Sequence, residues 1–97
     1  MREWVLAAVL VAVAASAQAN TVRNACLTSD RLANSRLCSC IQTAADRTLT
    51  RSDQKLAARF FKDPDMAQDV RMSKRRRDEA FWQRYKAFGA FAASICN

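Results

Sequence analysis

Histidine is absent from this 97-residue chain, and glycine and proline occur once each, as Gly89 and Pro64. Without histidine the chain lacks the base of a Ser-His-Asp triad, and with one glycine it cannot form a glycine-rich phosphate loop. No segment alternates apolar and polar residues as a half-buried strand does. Carboxylates such as Asp53 and Asp63 stand where helices begin, so capping explains them. We therefore expect an all-α protein that is not an enzyme and needs no cofactor.

An apolar run over residues 5–15 dominates the start of the chain. Arg2 precedes this run, and residues 17–19, Ala-Gln-Ala, follow it as a cleavage site for signal peptidase. A transmembrane anchor is the alternative, but a span needs about 20 apolar residues, and the polar Asn20 comes too soon. We predict that residues 1–19 are a signal peptide, cleaved near Ala19–Asn20, and that the protein is periplasmic or secreted.

Residues 20–97 are predicted to form a single helical domain. Cleavage would remove one residue of each charge, Arg2 and Glu3, so the net charge would stay at +7. A chain this short buries only about 60% of the surface of its unfolded state and therefore needs covalent cross-links. Four cysteines in an exported chain predict two disulfides. The expected fold is a small disulfide-stapled bundle of four to five helices.

The four cysteines are Cys26, Cys38, Cys40 and Cys96. Their spacing fits no common zinc arrangement, and no histidine is available as a ligand, so we predict no metal site. On a helix, residues two apart point about 200° away from each other, which favours two structural bridges over a redox-active Cys38–Cys40 pair. An antiparallel pair of helices favours Cys26–Cys40 with Cys38–Cys96. Cys26–Cys38 with Cys40–Cys96 is the alternative.

Capping signals divide the first half of the domain into helices. A weak helix over about 20–30 is followed by a turn and by a second helix over about 35–49, which Asn34 or Ser35 caps. The sequence from Thr50 to Asp53 fits a capping box for a third helix. The apolar residues predicted to face the core from the second and third helices are Leu37, Ile41, Ala44, Ala45, Thr48, Leu56, Ala57, Phe60 and Phe61.

The second half of the domain is predicted to contain a break. Asp63 precedes Pro64, a residue that suits the first position of a helix, so Asp63 is expected to cap a fourth helix. The apolar pattern fails near Ser73, which favours two helices over one long rod, with Ser73 as the second cap. The last helix has an apolar stripe made of Phe81, Trp82, Tyr85, Phe88, Phe91, Ala92 and Ile95. We expect this stripe to pack in the core; a membrane-surface helix with Arg84 and Lys86 on its polar side is the alternative.

The densest charge on the chain is the basic run, residues 74–77: Lys74, Arg75, Arg76 and Arg77. Arg71 lies one turn before it and Arg84 two turns after it. Positive charge is unfavourable at a helix start, and the nearest acidic residues available to offset it are Asp69, Asp78 and Glu79. A solvated, internally paired face is the plain interpretation. The functional interpretation is an anion-binding site formed by the basic run with Arg71 and Arg84 at its margin.

Three stretches carry a resemblance to a known set of proteins. They are the Cys-x-Cys-Ile-Gln stretch from Cys38 to Gln42, the segment over residues 57–64, and the segment over residues 81–89. Together with the export signal, they resemble short exported four-cysteine helical proteins of Gram-negative bacteria, which are often labelled arginine transporters. The resemblance implies a structural rather than a catalytic role for these motifs. A domain without a span long enough for a bilayer cannot translocate a solute by itself.

The function that we expect from the sequence is a non-catalytic periplasmic binding or interaction module. Its basic surface would meet an anionic envelope component or an acidic protein, and we do not expect nucleic acid as a partner in this compartment. One alternative is a solute-binding accessory to an amino-acid transporter, although a +7 protein attracts the cation arginine poorly. Another alternative is a thiol-disulfide redox protein that uses Cys38 and Cys40.

Overall fold

The computed structural model describes residues 20–29 and 34–96. Within these ranges the chain forms five helices and no strand: α1 (Thr21–Leu27), α2 (Ser35–Thr48), α3 (Arg51–Lys62), α4 (Pro64–Met72) and α5 (Arg76–Ile95). The predicted all-α fold with two disulfides is confirmed. The predicted signal peptide, residues 1–19, lies outside the described residues, and so does part of the predicted turn between α1 and α2.

Local capping explains where α2 and α3 begin. The side chain of Asn34 accepts a hydrogen bond from the amide of Leu37 at 3.0 Å, as predicted. The capping box is also confirmed: the Asp53 amide donates to Thr50 Oγ1 at 3.1 Å, and the Thr50 amide donates to Asp53 Oδ2 at 3.3 Å. Each bond satisfies an amide that the helix itself leaves without a partner.

The predicted cap of α4 is only half right. Asp63 occupies the N-cap position, but its side chain makes no capping hydrogen bond. Pro64 at the first helical position has no N–H to satisfy, and its fixed φ angle already suits a helix. A proline start therefore takes the place of the capping bond.

The predicted break between α4 and α5 is confirmed and covers residues 73–75. Ser73, however, is not the cap of α5, because the N-cap position belongs to Arg75. Ser73 Oγ accepts from the Arg75 amide at 3.2 Å and donates to Asp78 Oδ2 at 2.6 Å. Ser73 thus ties the linker to the first turn of α5.

Helix α2 packs against both α1 and α5, and α3 packs against α1, α4 and α5. The small side chains of Ala44 and Ala45 are fully buried and let the neighbouring helices approach closely. Leu37, Ile41 and Thr48, which were predicted on the same face, are only half-buried. One cluster of buried core residues consists of Val22, Ala44, Ala45, Leu49, Ala57 and Phe88, with Ile41, Phe61, Tyr85, Phe91 and Ala92 packed against it.

The aromatic stripe of α5 packs against the other helices of the bundle. Phe81 and Phe88 are buried, and Tyr85 between them contacts Phe60 on α3 with ring centroids 5.2 Å apart, edge to face. Burial of the Tyr85 ring raises the pKa of its hydroxyl. The stripe ends before Ile95, which is 42% exposed. Because Phe81 and Phe88 are packed inside the protein, α5 does not offer this part of the stripe to a membrane surface.

A buried polar cluster, which the sequence analysis missed, joins α1, α2 and α3. Gln42 Oε1 accepts hydrogen bonds from the amides of Val22 and Arg23, both at 2.8 Å. Gln42 Nε2 donates to Asp46 Oδ1 at 2.8 Å and to Gln54 Oε1 at 2.9 Å. Since Asn20 supplies no side-chain cap, Gln42 caps α1 from a different helix. We call Gln42, Asp46 and Gln54 the Gln42 network.

The two disulfides join Cys26 to Cys38 and Cys40 to Cys96. The favoured pairing of Cys26 with Cys40 and of Cys38 with Cys96 is therefore wrong, and the alternative is right. In α2 the side chain of Cys38 lies in the fully buried interface with α1, whereas Cys40 lies on the half-exposed side that reaches the end of α5. The prediction that Cys38 and Cys40 take different partners is confirmed.

Candidate anion-binding surface

The basic run lies at the corner where α4 ends and α5 begins. Lys74 and Arg75 belong to the linker, while Arg76 and Arg77 are the first two residues of α5. All four side chains are exposed. The Ser73 hydrogen bonds to Arg75 and Asp78 fix the linker against the helix, so the four cations are attached to an ordered turn.

The expected neutralisation of the basic run is not observed. Within residues 20–29 and 34–96, the ion pair that the structure contains joins Arg84 to Asp53, and none involves residues 74–77. Asp78 is half-buried, and its Oδ2 receives the hydroxyl of Ser73. Asp69 and Glu79 are exposed and make no ion pair with the run either. The run is therefore a solvated face, as the plain interpretation holds, but among the described residues it lacks the internal ion pairs that this interpretation also expects.

The N-terminus of α5 adds further positive potential at the same place. No side chain caps this helix, so the first amides of a 20-residue helix face outward together with the positive end of its dipole. Asp78 and Glu79 in the first turn offset part of this potential. Four cations beside an uncapped helix start give a surface suited to anions.

Two open grooves flank the corner, one lined by Arg76 and the other by Arg77. The Trp82 groove, of about 610 Å³, is lined by Arg71, Ser73, Arg76, Glu79, Ala80, Trp82 and Gln83. The Arg84 groove, of about 500 Å³, is lined by Ser52, Asp53, Leu56, Met66, Val70, Arg77, Asp78, Phe81 and Arg84. Arg76 and Arg77 are consecutive on a helix and so point about 100° apart. At the predicted site, Arg76 and Arg77 therefore lie on different sides of the same corner.

Arg71, predicted at the margin of the site, lies beside the basic run. Its side chain is exposed and lines the Trp82 groove together with Arg76. Its Nη1 donates to Gln68 Oε1 on the same helix at 3.2 Å, a neutral partner that leaves the positive charge in place. The half-buried ring of Trp82 forms the apolar part of this groove.

Arg84 lines the same groove as Arg77 but, unlike the residues of the basic run, it is paired with a carboxylate. Its Nε donates to Asp53 Oδ2 at 2.6 Å and its Nη2 to Asp53 Oδ1 at 3.0 Å, the two-bond geometry of a strong arginine–carboxylate pair. The Asp53 side chain is only 6% exposed and that of Arg84 is 44% exposed. The guanidinium lowers the pKa of Asp53, against an opposing effect of burial, and the carboxylate raises the pKa of Arg84. Arg84 therefore holds α5 against α3.

The cysteines and carboxylates supply no second site within the described residues. No free thiol occurs there, and a Cys38–Cys40 bond is not formed. No three cysteine, aspartate or glutamate side chains of these ranges converge as metal ligands do. Among the helices of the described ranges, none combines the length and the apolar composition that crossing a bilayer requires.

No protein-family model, no curated protein and no solved structure matches the chain. The resemblance to short exported four-cysteine proteins therefore stays a prediction, supported by the residues that carry it. The candidate surface has to be interpreted from its own geometry and charge.

Proposed function

We propose that this protein is a non-catalytic, exported interaction module that binds an anionic partner through Lys74, Arg75, Arg76 and Arg77, with Arg71 at the margin. The observation that carries the proposal is that these four adjacent cations are exposed and without an ion pair at an uncapped helix start. Other exposed cations, such as Lys55 and Lys62, also lack an ion pair among the described residues, but they do not stand four in a row. Four adjacent unpaired charges repel one another in the free protein, and an anionic partner relieves this repulsion.

We also propose that the protein acts in the periplasm after removal of residues 1–19. Two disulfides support an oxidising compartment. The apolar run over residues 5–15 and the Ala-Gln-Ala site support export through a cleaved signal. Intact-mass analysis of periplasmic material tests this proposal: a chain that begins at Asn20 supports it, and a chain that retains residues 1–19 contradicts it.

The two alternative functions receive less support from the geometry. A redox role for Cys38 and Cys40 needs a bond between them, and each is instead bonded to a distant partner. Binding of free arginine calls for carboxylates that converge on a guanidinium. In the Arg84 groove Asp53 is already bound by Arg84, and Asp78 is bound by Ser73.

The decisive experiment compares the native protein with a run variant that carries Lys74→Gln, Arg75→Gln, Arg76→Gln and Arg77→Gln. A matched control carries Arg51→Gln, Lys55→Gln, Arg59→Gln and Lys62→Gln, which removes the same charge from exposed positions on α3. Binding to anionic vesicles and to acidic glycans is measured at low and high salt. Both variants retain a net charge of +3, so a difference between them reports position rather than total charge.

We expect the run variant to bind at least about tenfold more weakly than the native protein, given about 1 kcal/mol per cation near an anionic surface. The α3 control should bind far more like the native protein. Binding should also weaken as salt shortens the Debye length from about 10 Å at 0.1 M to about 3 Å at 1 M. Equal losses in the two variants, or no binding by the native protein to any acidic partner, would contradict the proposal.

A further inference from the structure

The most exposed large hydrophobic side chain of the described residues stands next to the basic run. Met72, the last residue of α4, is 72% exposed, compared with 42% for Ile95 at the far end of α5. Arg71 and the basic run flank Met72 in the sequence. The fold thus places a flexible apolar side chain among five exposed cations at one corner.

A purely polar anionic partner would bind the cations but would leave the apolar side chain of Met72 exposed to water. The surface of an anionic phospholipid bilayer offers both contacts, because its phosphates attract lysine and arginine while its acyl boundary accepts apolar side chains. The Trp82 groove fits the same partner, since a half-buried indole beside Arg71 and Arg76 has the amphipathic character of residues that lie at membrane interfaces.

The packing of α5 restricts how such a surface can be met. Phe81 and Phe88 are buried in the bundle, so α5 does not lie along the bilayer on its apolar stripe. The exposed apolar group is instead at the end of α4, and the adjacent cations continue through the linker into the first turn of α5. Contact is therefore made by a corner of the folded protein, without unfolding of its core.

We propose that this corner docks on an anionic phospholipid bilayer, with Met72 inserted at the acyl boundary and the basic run bound to lipid phosphates. This proposal rests on the proposed function and names its partner. It divides the binding between two contributions that respond differently to salt. The Coulombic attraction of the basic run weakens as salt increases, whereas the burial of Met72 does not.

The test uses the disulfide-bonded exported protein, vesicles of zwitterionic and anionic phospholipids, and a soluble acidic polysaccharide. Met72→Gln keeps the size of the side chain and removes its apolar character, Met72→Leu restores that character, and Ile95→Gln is the matched control away from the cations. Circular dichroism and thermal unfolding establish that all variants are folded. Salt titrations on each surface separate the two contributions.

We expect Met72→Gln to partition into anionic vesicles about tenfold more weakly than the native protein, the effect of losing burial of one methionine side chain. Its binding to the acidic polysaccharide should be unchanged. Met72→Leu and Ile95→Gln should partition like the native protein. The proposal is overturned if Met72→Gln partitions as the native protein does, or if the native protein binds the polysaccharide and not the vesicles. Failure of the native protein to bind either surface would instead refute the proposed function.

Discussion

The two ends of this small bundle treat polar groups in opposite ways. Where α1, α2 and α3 meet, Gln42 and Gln54 are buried and hydrogen-bonded, and the guanidinium of Arg23 donates to Ser39 Oγ at 2.8 Å. At the α4–α5 corner no residue of α4 is buried, and the cations of the basic run have no ion-pair partner among the described residues.

This difference between the two ends shows which polar groups contribute to the stability of the fold. A buried polar group without a partner is expensive, so the α1–α3 end supplies partners from within the protein. At the corner, four like charges beside a helix start oppose folding slightly, and the fold tolerates that cost. The buried polar contacts therefore lie at the first end, while the exposed cations of the basic run at the second end are available to a partner.

The largest effect should come from breaking the Gln42 network. Gln42→Ala leaves the buried amide of Val22 without an acceptor and removes a partner of Gln54. We expect a loss of about 3 kcal/mol in the free energy of unfolding, measured by urea denaturation. Gln83→Ala, at an exposed position on α5, should change that free energy by less than about 0.5 kcal/mol. Similar losses for the two variants would remove the basis of the comparison.

A smaller effect should come from the Asp53–Arg84 pair, which joins the two ends. Asp53→Asn keeps a side-chain acceptor for the Thr50 amide in the capping box but removes the charge that Arg84 binds. We expect a loss of about 1 kcal/mol at neutral pH, reduced from the usual value for a charged hydrogen bond because Arg84 is partly exposed. Asp65→Asn, exposed in the first turn of α4, is the matched control and should have less effect.

The same pair predicts a pH dependence. The pKa of Asp53 is lowered in the folded protein from an ordinary value of 3.8. A lowered pKa stabilises the fold fully above the ordinary value, and this contribution is lost as the pH falls through the folded value. The stability of Asp53→Asn should therefore decline less steeply than that of the native protein below about pH 4. Parallel curves from pH 7 to pH 2 would show that the pair contributes nothing.

The smallest effect should have the opposite sign. Arg76→Glu replaces a positive charge with a negative one in the first turn of α5, where the helix dipole favours the negative charge. We expect the free energy of unfolding to rise by about 0.5 kcal/mol, measured by thermal unfolding. Lys62→Glu, in the last turn of α3, makes the same exchange at a helix end of opposite polarity and should destabilise. A destabilised Arg76→Glu protein would show that the corner contributes to the fold after all.

How much of the fold and of the candidate site could be predicted from the sequence depends on how far apart along the chain the interacting residues are. The Thr50–Asp53 capping box and the break near Ser73 are set by neighbours within a few positions, and both were predicted. Val22, a partner of Gln42, and Asp53, the partner of Arg84, lie on other helices, 20 and 31 residues away respectively, so no local pattern reveals these two contacts. A glutamine amid the apolar positions of α2 was the available signal for the network.

Predicting the pairing of the disulfides requires the same information about contacts between residues that are distant in the sequence. Cys38 and Cys40 were correctly assigned to different partners because they point in different directions from one helix. Which partner each takes depends on how α1 and α5 pack on α2, and spacing along the chain does not determine that packing. The basic run was found from the sequence alone, but the placement of Arg76 and Arg77 in two different grooves required the helix geometry.

The separation of the paired cysteines also sets an order for oxidation. Cys38 follows its partner by 12 residues, whereas the partner of Cys40 lies 56 residues further on. A chain that emerges with its N-terminal part first presents three thiols to an oxidant well before Cys96 arrives. Correct bonding then requires that α1 already be docked on α2, the arrangement that Gln42 enforces by binding the amides of Val22 and Arg23. Gln42 thus favours the correct first bond, between Cys26 and Cys38, and Cys40 stays a thiol until Cys96 is present.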